Sequence, residues 1–90
     1  MSDLPRLQVI HAIEFDEQLY RLIPDPELAD EFIEAAKYVL AMNPESGMAV
    51  SPVGKTWYLP MAPVDGRRVS LFYTFDEEAV FLLAVLAHDD

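Results

Sequence analysis

The side chains able to do chemistry in this 90-residue chain are few, and most collect in its C-terminal half. Lys55, Arg67 and Arg68 lie in a stretch, 48–75, whose one acid is Asp65, so that stretch carries a net charge of +2. Grouped cations can hold a phosphate or another small anion, because charge-assisted N–H donors are strong and arginine offers a planar fork to an oxyanion. The same three cations can equally pair with neighbouring carboxylates and keep a sheet edge soluble. His88 is the best single acid–base candidate: histidine is the side chain most used for proton transfer, this one directly follows an apolar run, and Asp89 and Asp90 stand beside it. A solvated terminal histidine is the plainer alternative. Tyr73 alternates with Val69, Leu71 and Phe75, and Trp57 with Leu59 and Met61, so both aromatics read as core.

Other chemistries lack their residues. Gly47, Gly54 and Gly66 are scattered and none opens a helix, so there is no phosphate-cradling loop. His11 and His88 are far apart, and Asp76-Glu77-Glu78 lacks calcium-loop spacing, so neither a zinc nor a calcium site is expected. Ser46, Ser51 and Ser70 have no histidine near them in sequence. No cofactor is expected.

The charge balance narrows the partners. Sixteen acids against six Lys and Arg give −10, distributed as −7 over residues 1–47, +2 over 48–75 and −5 over 76–90. A general nucleic-acid binder needs clustered cations, and an anionic membrane surface repels such a body. With no cysteine there are no disulfides or thiolate metal sites, which fits a reducing cytosol. No apolar run approaches the ~20 residues of a membrane span. The opening Met-Ser-Asp-Leu-Pro shows no signal-peptide pattern, so a cytoplasmic location is expected. Hydrophobic residues make up 52%, enough for one folded domain over residues 1–90.

The elements that must position these side chains follow from periodicity. Alternation over 7–14 predicts a first strand. Leu19, Tyr20, Leu22 and Ile23 fit a short helix stopped by Pro24. Asp25 as a cap and Pro26 at the first helical position start a second helix over 26–42, with Leu28, Phe32, Ala35 and Val39 in one apolar stripe and Ala29, Ile33, Ala36 and Leu40 beside it. A loop over 44–54 follows, then strands over 56–61, 67–75 and 79–87, the first two joined by an Asp65-Gly66 turn. The last strand is apolar on both faces and so belongs inside the sheet. This gives an α+β domain: two N-terminal helices packed on one face of a four-stranded, mainly antiparallel sheet in the order β-α-α-β-β-β.

That order resembles the RelE/ParE superfamily of toxin–antitoxin systems. The residue-level likeness lies in a basic hairpin, the strand Ser70-Leu71-Phe72-Tyr73-Thr74-Phe75-Asp76-Glu77, an acidic turn, and the apolar strand ending in His88. The Asn43-Pro44 to Gly54 connection is also similar. The resemblance implies a ribosome-dependent mRNA endoribonuclease, acting without metal through cations and a tyrosine, or a gyrase poison. Either would be held inactive by a cognate antitoxin. By position it implies catalytic roles for Lys55, Arg68, Tyr73 and His88, with Arg67 binding substrate. The chain departs from the family's pattern at Ser70 and Asp89, where arginines are usual, and in the C-terminal tail. Each such cation is commonly worth ~3 kcal/mol, about a hundredfold in rate. Enzymatic activity is therefore left open between a weak or degenerate ribosome-directed nuclease and a non-enzymatic acidic interaction module that keeps the fold without the site. A homodimer through an exposed strand edge is compatible with either.

Overall fold

The computed structural model describes residues 7–50, 55–64 and 66–88. In chain order these form strand β1 (Gln8–His11), helix α1 (Ile13–Leu22), helix α2 (Pro26–Met42), a 3₁₀ turn (Pro44–Ser46), and strands β2 (Met48–Ala49), β3 (Trp57–Pro60), β4 (Arg68–Phe75) and β5 (Ala79–His88). The strands make one sheet in the order β1-β5-β4-β3-β2. The pair β1–β5 is parallel and the other three pairs are antiparallel. The α+β expectation holds, with five strands in place of four. Met48 and Ala49 pair with Tyr58 and Trp57 from within the expected loop, and two residues are too few to show an alternation.

Helical spacing overrides alternation at the N-terminal junction. Phe15, Leu19 and Ile23 recur every four residues and are buried, whereas Ile13 is 69% exposed. The expected strand over 7–14 therefore stops at His11, and Ile13 and Glu14 open α1. Helix α2 begins as its sequence signals: Pro26 occupies the first turn, and the Glu27 N–H donates to the Asp25 carboxylate at 3.0 Å. Its buried stripe is Ala29, Phe32, Ala36 and Leu40. The two alanines let the helix lie close to the sheet, and Ala35 and Val39 turn outward.

The interior strand β5, between β1 and β4, contains a bulge. Tyr73 pairs with Leu82 but Phe72 pairs with Ala84, leaving Leu83 without an opposite residue. The extra residue shifts the parity of the strand. Val80 and Leu82 before it, and Val85 after it, all reach the helix side and are buried, while Leu83 and Leu86 stay exposed. An apolar run that alternation alone would split evenly is thereby sorted between two faces. Strand β1 has ended opposite Leu82, and the Val85 N–H beyond it donates to the side-chain oxygen of Gln18 on α1 at 2.9 Å.

Tyr73 is fully buried, and its hydroxyl is the main tie between β4 and the connection after α2. It donates to the Pro44 carbonyl at 2.6 Å and accepts from the Gly47 N–H at 3.1 Å. Gly47 is needed here for its size: a Cβ would lie 2.3 Å from the Tyr58 carbonyl oxygen and 2.7 Å from the Tyr73 hydroxyl. At the opposite end of the hairpin, Gly66 takes φ +80°, which suits glycine in a tight turn; Asp65 lies outside the described residues. The β4–β5 turn is closed by Asp76, whose Oδ1 accepts from the Glu78 and Ala79 N–H groups, both at 2.8 Å.

These ties set expectations for stability. Tyr73→Phe should lower the unfolding free energy in urea by about 1–3 kcal/mol, since it leaves one part-buried donor and one part-buried acceptor without their partner. Gly47→Ala should cost more than Tyr73→Phe, because strand backbone must move to admit the methyl. The pH limits follow from two shifts. The backbone N–H groups of Glu78 and Ala79 hold the Asp76 carboxyl below its ordinary 3.8. Its contribution is fully present above that value and is lost as pH falls through the native pKa, so Asp76→Asn should flatten the acid limb of a stability–pH curve. Burial holds the Tyr73 phenol above its ordinary 10.0, against the lowering effect of the Gly47 N–H and with a further push from Glu45. Its contribution is present below about pH 10 and is lost as pH rises further, and Tyr73→Phe should remove that alkaline loss.

Candidate functional site

The pleat and register distribute the reactive side chains over the sheet. Arg68 and His88 sit directly opposite each other on β4 and β5, and both are exposed. Arg67 is the neighbour of Arg68, but its guanidinium goes the other way. It donates from Nη1 to the Leu22 carbonyl at 3.5 Å and lines a cleft of about 430 Å³ with Asp25 and Leu28 on the helix side. Lys55 lies before β3 at the far end of the sheet, in a cleft it shares with Phe75 and Asp76. Seven residue steps along β4 separate Phe75 from Arg68, about 23 Å at ~3.3 Å per residue. The three cations therefore cannot grip one phosphate. Tyr73 is in the core with both hydrogen-bonding positions of its hydroxyl in use. Of the five residues singled out in the sequence, the fold brings together two, Arg68 and His88.

Those two border an open sheet face. Cross-strand partners share a face, and the register aligns Ile10 with Phe81 and Thr74, then Ala84 with Phe72, Tyr58 and Met48, then Leu86 with Ser70 and Pro60. No helix covers this face among the described residues. Ile10, Met48, Leu83 and Leu86 are each 40–49% exposed. Tyr58 and Phe72 lie side by side with ring centroids 6.1 Å apart. No carboxylate stands at these register positions among the described residues, although the chain holds sixteen acids. A continuous apolar surface of this kind, with charge at its border, is what a protein interface requires.

A second polar arrangement is legible only in three dimensions. His11 Nδ1 lies 2.6 Å from Asp16 Oδ1, joining the end of β1 to α1 beside Tyr20 and Lys37. A carboxylate on Nδ1 orients an imidazole for acid–base work, but no Ser or Thr lines this cleft. No group of three His, Cys, Asp or Glu among the described residues is placed to hold a metal ion. The pair crosses a strand–helix boundary that the sequence puts elsewhere, which is why spacing alone does not reveal it. No helix among the described residues is long and apolar enough to cross a membrane.

Set against known proteins, the chain matches no family model and no curated protein.

Proposed function

We propose that this chain is a RelE/ParE-like domain whose activity is to bind a protein partner on its open sheet face, as a toxin-family member is bound by its antitoxin. The observation that carries the proposal is an apolar sheet face with no carboxylate at its register positions among the described residues, on a chain of net charge −10. The element order behind the resemblance, a strand and two helices followed by antiparallel strands, is kept. RNA cleavage through Lys55, Arg67, Arg68, Tyr73 and His88 acting together is not part of this reading, because their spacing denies the reaction convergent charge. A cytoplasmic location and a partner encoded nearby belong to the same reading.

A second reading rests on one observation, the Arg68–His88 register pair. An arginine opposite an imidazole supplies a phosphate contact and an acid–base group, the minimum for attack by a ribose 2′-hydroxyl.

Inducible expression in bacteria, with mapping of mRNA 5′ ends, separates the two. The binding reading expects normal growth at confirmed soluble expression. It also expects co-elution with the product of an adjoining small reading frame. A Leu83→Glu, Leu86→Glu double variant should weaken that complex about 30-fold or more, the scale of an interface hot spot, while its far-UV circular dichroism stays native. Growth arrest with cuts inside translated codons, abolished by Arg68→Ala or His88→Ala, would replace the binding reading with the nuclease one.

A further inference from the structure

At the end of the sheet remote from Arg68, the connection after α2, the residues leading into β3 and the end of β4 enclose a cleft of about 750 Å³. Its walls are aromatic. Trp57 and Phe75 have ring centroids 5.4 Å apart and planes at 56°, forming a corner, and each is half-buried, leaving part of it open to the cleft. Among the described residues the rim is charged: Glu45, Asp76 and Glu77 stand against Lys55. The frame is stiff. Tyr73 packs against both wall residues, with ring centroids 6.5 Å from Trp57 and 6.2 Å from Phe75, and its hydroxyl holds the backbone on either side of Glu45. Asp76 is fixed through Oδ1 by two backbone N–H groups.

An occupant must satisfy rings and carboxylates together. A phosphate would meet three carboxylates against one ammonium and be repelled. A neutral apolar group would cover the rings but strip water from the carboxylates without returning a partner. A cation lying on a ring face gains from the ring quadrupole. Guanidinium fits better than ammonium, because it is planar, weakly hydrated, and keeps its edge donors free for carboxylates while its face stacks. The acidic body adds a long-range field that draws cations toward the molecule.

We propose that this cleft receives an arginine side chain from a protein partner. The assignment rests on the protein-binding reading only for the source of the arginine, since the cleft and the open sheet face lie on different sides of the sheet. Lys55 then acts against the ligand, the reverse of the phosphate-holding role implied by the family resemblance.

Trp57 is the one tryptophan in the chain, so its fluorescence reports occupancy directly. The probe is the peptide acetyl-Gly-Arg-Gly-amide, compared with the same peptide carrying citrulline, a neutral near-isostere. The arginine peptide should give a saturable change in emission at about millimolar concentration, as expected for one side chain. The citrulline peptide should give none. Glu45→Gln with Glu77→Gln should weaken binding about fivefold, and Lys55→Ala should tighten it about threefold. All three positions are exposed, and native circular dichroism verifies the fold of each variant. Equal response to citrulline, no saturable response, or weaker binding by Lys55→Ala would overturn the assignment. The Leu83→Glu, Leu86→Glu variant should bind the arginine peptide like the unsubstituted protein, so failure at the sheet face and failure at the cleft are told apart.

Discussion

The hydroxyl of Tyr73 is the constraint on which the C-terminal architecture depends. Its ring lies in the core between sheet and helices, where an unpaired polar atom would be costly, and the two groups that satisfy it both come from the connection after α2. Meeting that requirement draws Pro44 and Gly47 down onto β4. Gly47 must then pass so close to Tyr58 that no side chain fits. Met48 and Ala49 arrive beside β3 as a consequence, and a fifth strand forms where neither length nor composition favours one. The same tie sets the wall and rim of the aromatic cleft, so one buried phenol positions both the edge of the sheet and the surface next to it.

A second constraint is the parity of β5. Ten residues with hardly a polar side chain could present either set of positions to the helices. The bulge at Leu83 resolves this in favour of burying Val80, Leu82 and Val85 together, a cluster worth roughly 1.5–3 kcal/mol per side chain. What is left over, Leu83 and Leu86, joins Ile10, Phe72 and Phe81 on the other face. The open apolar surface is thus the remainder of a strand apolar at more positions than its own core requires. In a chain with sixteen acids available, that apolar surface is what the proposed binding reading rests on.

Local signals were legible in the sequence and long-range ones were not. Asp25-Pro26 fixed the start of α2 because a cap and an N1 proline act within one turn, and the unbroken apolar run marked β5 as interior. Alternation carries β1 past its end at His11, because Ile13 continues a pattern that the Phe15–Leu19–Ile23 spacing overrides. The two apolar stripes of α2 that periodicity predicts include Ala35 and Val39, which match the period but are exposed. Neither β2 nor the partners of the Tyr73 hydroxyl leave a local trace: those partners are 26 and 29 residues away in sequence. The His11–Asp16 pair became visible only once the helix boundary was known.

The candidate site shows how alternation outranks resemblance. Arg67 and Arg68 look like one basic patch, yet a strand sends adjacent side chains to opposite faces. Parity likewise sets Tyr73 against Arg68 whatever the fold around them. A phosphate-holding site built from both would need the pleat to be broken between residues 68 and 73, and the one bulge nearby inserts its extra residue into β5, leaving β4 regular. Lys55 fails for a different reason: antiparallel pairing of β3 with β4 carries it toward Phe75 as surely as it carries Pro60 toward Ser70. Charge that is concentrated in sequence is therefore dispersed by the fold into three surfaces, each with one cation. A surface with one cation among apolar or acidic neighbours discriminates between protein partners far better than it stabilises a transition state.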